Sequence, residues 1–381
     1  MLNCQQFYQL LTKKDIDFFS GVPDSLLKDI CAYITDNTSP QQHIIAANEG
    51  NAIALAAVYH LATGKVGLVY LQNSGLGNCV NPLTSLTASE VYSIPLLLLM
   101  GWRGEPGKKD EPQHQQMGRI MLNLLKSLEI PYSVLSEKIE EAEQCLSMAL
   151  VEAKRNSAPY ALIVKEGTFE SYALKNKKNT SFSLNREQAL GALTPLLHSE
   201  DIVISTTGKT SRELFELRKE LAQGHDKDFL TVGSMGHASS IALGIALQKP
   251  QQQVYCFDGD GAAIMHMGAF ATIGKVKPHN FRHIIFNNFA HDSVGGQPTA
   301  ADAINLPAIA LANGYKTVFS AETEAEIRAV LEKIKNKPGP ILLEIRCNKG
   351  ARDNLGRPTR APLQNKKDFM NFLHASEQEN H

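Results

Sequence analysis

The second half of this chain repeats the layout of its first. Near the start, a helical stretch ending in Leu10-Leu11 leads to Asp15-Ile16-Asp17-Phe18-Phe19-Ser20-Gly21. Later, Leu196-Leu197 leads to Asp201-Ile202-Val203-Ile204-Ser205-Thr206-Thr207-Gly208. The offset from Ile16 to Ile202 is 186. The string Gly50-Asn51-Ala52-Ile53-Ala54-Leu55 has a counterpart in Gly236-His237-Ala238-Ser239-Ser240-Ile241-Ala242-Leu243, and from Gly50 to Gly236 the offset is again 186. Each half closes on a proline and an apolar run, Pro159–Val164 and Pro340–Ile345. Two tandem units of one topology explain an offset held over separate strings.

The runs Ile16–Phe19, Val66–Tyr70, Ile94–Met100, Ala161–Val164, Ile202–Ser205, Gln253–Phe257, His283–Phe286 and Ile341–Ile345 are short and apolar on both faces. Such runs suit central strands of a parallel sheet covered by helices. Their alternation with longer amphipathic stretches predicts an α/β fold: two doubly wound domains, each a mainly parallel sheet flanked by helices. The stretch Leu174-Lys175-Asn176-Lys177-Lys178-Asn179-Thr180-Ser181 is polar and cationic, which reads as an exposed linker. The expected division is residues 1–175, a linker at 176–185, and residues 186–381.

Composition narrows the function. The 38 Lys and Arg balance 39 Asp and Glu, a net charge of −1, so neither nucleic acid nor a membrane surface is an expected partner. The longest apolar run, Ile94–Met100, is far short of the roughly 20 residues a membrane helix needs. The N-terminus lacks the pattern of a secretion signal. Six cysteines are scattered singly with no C-x-x-C pair, which argues for reduced thiols and a cytoplasmic location.

The sharpest local motif is Cys256-Phe257-Asp258-Gly259-Asp260-Gly261-Ala262-Ala263, an apolar strand that ends in Asp and two glycines before small residues open a helix. Glycines let a ligand approach the backbone, and a helix start offers free N–H groups to an anion. A second strand, Arg282-His283-Ile284-Ile285-Phe286, ends in Asn287-Asn288, with 28 residues from Asp260 to Asn288. In a parallel sheet both strands end at the carboxyl edge, where such folds bind ligands. Carboxylate, amide and carbonyl oxygens there suit Mg²⁺ that keeps other positions for phosphate and water.

This pairing resembles the fingerprint of the thiamine-diphosphate enzymes. The resemblance implies that Asp260, the Asn288 side chain and the Ala290 carbonyl hold Mg²⁺ on the diphosphate of thiamine diphosphate, with Asn287 a lesser candidate because the usual spacing is slightly shorter. Gly261 and Ala262 continue that cofactor-binding turn. Val232-Gly233-Ser234-Met235-Gly236 is similar to the family's cofactor-bending turn, which makes Met235 the apolar wedge and the Gly233 carbonyl the acceptor for the 4′-amino group. Thr206-Thr207-Gly208 resembles the loop that helps hold the diphosphate. In the first half, Ala46-Ala47-Asn48-Glu49-Gly50-Asn51-Ala52 resembles the family's glutamate turn. Glu49 sits among small and apolar neighbours and is expected to be poorly solvated; its other reading is a cap for the helix starting near Gly50. By resemblance it shares a proton with the pyrimidine N1′. The first half is then the pyrimidine-binding domain and the second the diphosphate-binding domain. The resemblance further implies a homo-oligomer with cofactor sites between subunits.

Most relatives that decarboxylate 2-oxo acids are much longer, with a third domain between these two. The compact plan resembles the phosphonopyruvate decarboxylases, with sulfopyruvate decarboxylases close in pattern. The strings that carry this likeness are Ser20-Gly21-Val22-Pro23-Asp24-Ser25, Asp110-Glu111-Pro112-Gln113-His114-Gln115-Gln116-Met117-Gly118-Arg119, Ala290-His291-Asp292-Ser293-Val294-Gly295-Gly296-Gln297-Pro298-Thr299 and Leu355-Gly356-Arg357-Pro358. The resemblance implies non-oxidative decarboxylation of the small molecule 3-phosphonopyruvate to phosphonoacetaldehyde and CO₂, a step in phosphonate (2-aminoethylphosphonate) biosynthesis. The alternatives are sulfopyruvate or another 2-oxo acid as substrate, or a non-catalytic oligomer that only binds the cofactor. Asp24 and His114 match positions at the mouth of related sites, where proton transfer and positioning are expected; Asp24 could equally cap a helix. A substrate with a phosphonate and a carboxylate calls for cationic readers. The candidates are Arg119, Arg352, Arg357, Lys209 and His291, with Arg352 and His291 favoured.

Overall fold

The computed structural model describes residues 1–176 and 180–378. The chain forms two compact units, Met1–Lys178 with Ser293–Pro298, and Asn179–Asp292 with Thr299–His381. The first unit holds β1 (Phe19–Gly21), β2 (His43–Ile45), β3 (Gly67–Gln72), β4 (Leu96–Gly101), β5 (Tyr132–Val134) and β6 (Tyr160–Val164). The second holds β7 (Ile202–Ser205), β8 (Asp228–Leu230), β9 (Val254–Gly259), β10 (Phe281–Asn287), β11 (Thr317–Ala321) and β12 (Ile341–Arg346). Each set makes one six-stranded sheet, ordered β2-β1-β3-β4-β6-β5 and β8-β7-β9-β10-β12-β11. All pairings are parallel. Every strand of the second sheet thus occupies the place of the strand six earlier, so the repeat read from the sequence is a repeat of topology.

The side-chain period of two along each strand explains the packing. Along β3 and β4, Leu68, Tyr70, Leu97 and Leu99 face one core layer, while Val69, Leu71, Leu96, Leu98 and Met100 face the other. In the second unit Val203, Tyr255, Phe257, Ile284 and Phe286 line one face, and Ile202, Ile204, Val254, Cys256 and Ile285 the opposite one. Truncating any of these leucines to alanine costs about 2–5 kcal/mol, because the helix layers leave little room to collapse.

Two expectations are corrected. The run Ile16–Phe19 is not a strand from its start. The Ile16 N–H bonds to the Leu11 carbonyl at 3.0 Å and closes the preceding helix, and Asp15 turns the chain at φ +60°. The stretch around the linker is also less exposed than its charge suggests. Leu174 is buried, and the N–H groups of Lys175 and Asn176 bond to the Asp36 carboxylate at 2.8 and 2.9 Å. Residues 177–179 lie outside the described residues, and beyond them Thr180 and Phe182 bond to Asn348. Among the described residues no helix is long and apolar enough to cross a membrane.

Candidate active site

In the first unit, β1 to β4 deliver their loops to one carboxyl edge. The chain leaves β1 through Val22-Pro23 into Asp24, which is fully buried. A Cβ on Gly101, the last residue of β4, would lie 2.0 Å from Asp24 Oδ2, so only glycine admits this carboxyl. The Leu26 N–H donates to Asp24 at 3.1 Å. Burial pushes the Asp24 carboxyl up to about 6, against the pull of that N–H and the Arg103 charge. The helix Lys28–Asn37 starts further on, at Lys28, so Asp24 holds a turn and does not cap a helix.

Glu49 opens the helix Glu49–Thr63 after β2. Capping falls to its neighbour: the Asn48 side chain accepts the Asn51 N–H at 3.0 Å. That leaves the Glu49 carboxyl available for other contacts. It is 5% exposed, accepts Asn78 Nδ2 at 2.7 Å, and rests on Gly75, where a Cβ would lie 2.3 Å from Oε1. His114 lies in the first turn of the helix Pro112–Ser127, half-buried, its carbonyl packed on Gly104. That loop also holds Arg103, which sequence reasoning passed over. Its guanidinium makes a two-point pair with Asp110 and donates to Ser25 Oγ at 2.6 Å, next to Asp24.

In the second unit the Gly-Asp-Gly and Asn-Asn motifs meet at adjacent strand ends, with Phe286 of β10 paired to Gly259 of β9. Asp260 is 3% exposed and receives hydrogen bonds from the Thr299 hydroxyl and the backbone N–H groups of Gly261 and Asn288. Burial pushes its carboxyl up to about 7. Asn288 is 3% exposed and its Oδ1 accepts the Ala290 N–H at 3.1 Å. Asn287 turns the other way and donates to Glu344 at 2.7 Å. After β7, buried Thr206 donates its N–H to Phe257, and Gly208 takes φ +96° before the helix Lys209–Glu220. Thr207 Oγ1 donates to the Val232 carbonyl at 2.8 Å, tying this loop to the Val232–Gly236 turn. In that turn Ser234 has φ +54° and Gly236 φ +85°, and Met235 between them is half-buried.

These residues fit a diphosphate held through a divalent cation. Asp260 is a buried carboxyl whose described partners are all neutral, the Asn288 N–H among them, and an Asn288 amide and an Ala290 carbonyl are oxygen donors of the kind a hard divalent cation takes. Space is kept over Gly261, where a Cβ would crowd His291 and Thr299 at 3.3 Å each. His291 is nearly buried, which pushes its imidazole down to about 4. Arg352 is less available than expected: its guanidinium pairs with Glu187 and Glu216. Lys209 is likewise engaged, with Asp292 at 3.2 Å.

Residues 4–123 match the family described as Thiamine pyrophosphate enzyme, N-terminal TPP binding domain, and residues 207–345 match its C-terminal TPP binding domain. Fold and site therefore define a thiamine-diphosphate enzyme with both cofactor-binding domains on one chain. Phosphonopyruvate decarboxylase from Streptomyces viridochromogenes is 34% identical, covering 95% of this chain and 93% of that protein. The phosphonopyruvate decarboxylase of Streptomyces hygroscopicus is 33% identical over 98% and 94%. Sulfopyruvate decarboxylase from Methanosarcina acetivorans is 27% identical over 87% of each chain. The chain belongs to the phosphonopyruvate decarboxylase family of thiamine-diphosphate-dependent decarboxylases.

Proposed function

We propose that the chain decarboxylates 3-phosphonopyruvate to phosphonoacetaldehyde and CO₂. The observation that carries this reading is near-full-length similarity to phosphonopyruvate decarboxylases in a chain whose Glu49 and Asp260 are both buried at strand-end turns. In the reaction the C1–C2 bond breaks, CO₂ leaves, and the former keto carbon gains a proton. Bound thiamine diphosphate supplies the electron sink for that cleavage. Asp260, the Asn288 side chain and the Ala290 carbonyl would hold Mg²⁺ on its diphosphate, with Gly261, Ala262 and the Thr206-Thr207-Gly208 loop as the backbone that would receive the phosphate oxygens. Met235 and Ser234 shape the turn, and the Gly233 carbonyl would accept from the pyrimidine amine. The Glu49 carboxyl would hold the proton at the pyrimidine N1′. Asp24 and His114 move or position the proton that reaches the product carbon. His291 and Arg352 stand as substrate-facing residues; Arg352 ranks lower, since two carboxylates already neutralise it.

This reading divides the chain into a pyrimidine-binding domain at 1–175, a linker at 176–185 and a diphosphate-binding domain at 186–381. It includes a homo-oligomer with cofactor sites between subunits. The helix Glu49–Thr63 supports an assembly: it is apolar nearly all round and leaves Val58 58% and Leu61 65% exposed. Leu247, displaced from Leu61 by the offset of the repeat, is 49% exposed on the corresponding helix Ala238–Gln248. Six free cysteines suit a reducing cytoplasm.

The test is aldehyde release from phosphonopyruvate, sulfopyruvate and pyruvate, each with and without Mg²⁺ and thiamine diphosphate. Cofactor-dependent release fastest from phosphonopyruvate is expected. Preference for sulfopyruvate moves the substrate assignment to the sulfonate, and no aldehyde from any of the three ends the enzymatic reading.

A further inference from the structure

Beside the Val232–Gly236 turn lie two imidazoles that none of these roles uses. His237 follows the turn directly; its N–H bonds to the Ser234 carbonyl at 3.1 Å, and its Nδ1 lies 3.2 Å from the same oxygen. His266 ends the short helix Asp260–Met265. The two ring centroids are 4.4 Å apart, inclined at 46°. His237 is exposed, whereas His266 is half-buried with its Nε2 enclosed and without a hydrogen-bond partner. The His266 ring is pressed on the turn: a Cβ on Gly236 would lie 2.6 Å from its Cδ2 and 3.1 Å from the Ala262 carbonyl oxygen.

Two imidazoles in contact oppose each other's protonation. Burial first, and the His237 charge second, hold His266 below its ordinary value. An anion that touches both rings reverses this balance, since each protonated ring then donates a charge-assisted hydrogen bond. A metal is the weaker occupant, because among the described residues no cysteine or carboxylate joins the pair in a ligand cluster. Position also matters. One end of the helix Asp260–Met265 carries the metal-type carboxylate and the other leads to His266, about 9 Å away at the usual rise per residue. The pair therefore flanks the bending turn, at the end of the helix opposite Asp260. Two of the family-like cations are otherwise engaged, Arg352 with two glutamates and Lys209 with Asp292.

We propose that His237 and His266 together seat the phosphonate of the substrate and so select it over 2-oxo acids that carry no second anionic group. This rests on the decarboxylase reading above. The pair's contribution is to substrate affinity, so its loss raises KM more than it lowers kcat.

The cofactor-loaded enzyme is compared as wild type, His237→Asn, His266→Asn and His266→Gln, with thermal melts as the fold check. KM for phosphonopyruvate is expected to rise about 10- to 100-fold per variant, the worth of a charge-assisted hydrogen bond. Calorimetric binding of thiamine diphosphate is expected to stay at the wild-type value. Methylphosphonate is expected to inhibit competitively and to shift the two histidine C2–H proton resonances in wild type but not in the variants. An unchanged KM overturns the proposal. So does a parallel loss of diphosphate affinity, which makes the pair a prop for the turn. Shifts with inorganic phosphate alone, at unchanged KM, assign the pair to free phosphate and also overturn it. If wild type turns over no phosphonopyruvate, the decarboxylase reading fails by itself, and the methylphosphonate titration still decides whether the pair binds a phosphonate.

Discussion

Glu49 and Met235 occupy the same place in the two units. Each directly precedes the glycine that marks the repeat, Gly50 in one and Gly236 in the other. Each follows the second strand of its sheet, at the carboxyl edge. One is a buried carboxyl held by an amide, and the other is a thioether on a left-handed turn. The surroundings differ to match. The first edge gathers carboxyls, Asp24 and Glu49, against glycines that would be overfilled by a single Cβ. The second gathers main-chain turns and hard oxygens around Asp260. One scaffold thus delivers loops to the same edge twice, and the residue at each loop decides the chemistry.

The largest expected effect tests the acidic side of that contrast. Glu49→Gln keeps the Asn78 hydrogen bond and the packing on Gly75 but loses the exchangeable proton. Aldehyde release should fall by about 10²- to 10⁴-fold, the usual weight of proton transfer, while the melting temperature stays near wild type. A variant as fast as wild type would make Glu49 and Met235 equivalent spacers.

The next effect follows from the burial of Asp24. Its carboxyl is raised to about 6 from an ordinary 3.8. Below pH 4 both folded and unfolded chains carry the proton, so nothing is lost. Between pH 4 and 6 the unfolded chain ionises first, so stability falls as pH rises. The full penalty, about 3 kcal/mol for a shift of this size, is in force above pH 6. Thermal melts of Asp24→Asn against wild type should therefore diverge from pH 4 to pH 7, the variant gaining. Parallel curves would mean that Arg103, close by, keeps Asp24 ionised.

Much of this was legible in the sequence, and the failures have a common cause. Seven of the eight apolar runs lie essentially on strands, because a central strand is covered on both faces; of Ile16–Phe19 only Phe19 falls in β1. The four strands without such a run, β2, β5, β8 and β11, are the four sheet edges, each with half-exposed positions that dilute the apolar signal. The motif residues were found because their chemistry is encoded in short strings. Arg103 and the His237–His266 pair were missed because their meaning lies in contacts between separate loops. No spacing rule joins Arg103 to Ser25, or His237 to a helix end as far along the chain as His266. The helix cap weighed as the other reading of Glu49 falls to Asn48, one residue earlier.

Space beneath the Glu49 carboxyl is the next thing to break. Gly75 and Gly77 are two residues apart, yet a Cβ on Gly75 would lie 2.3 Å from Glu49 Oε1, whereas one on Gly77 meets nothing within 4 Å. Gly75→Ala should cost about 1–3 kcal/mol as an overpacked substitution, and lower activity by displacing the carboxyl. Gly77→Ala, inside the helix Leu76–Ser85, should be neutral or slightly stabilising and leave activity intact. Equal loss in both would show that glycine is needed here for backbone freedom and not for the carboxyl.

The smallest effect separates the two units at their helix starts. The helix Glu49–Thr63 has a side-chain cap, Asn48, while its counterpart Ala238–Gln248 has none, because His237 stands at the capping position. Asn48→Ala removes an acceptor from the Asn51 N–H and should cost about 1 kcal/mol in stability. The position also holds the first turn that carries Glu49, so a modest drop in aldehyde release should accompany the lower melting temperature, and Asn48→Asp should restore both. If Asn48→Ala melts as wild type does, this helix is held by its apolar faces alone, as its uncapped counterpart must be, and the asymmetry between the two starts has no energetic consequence.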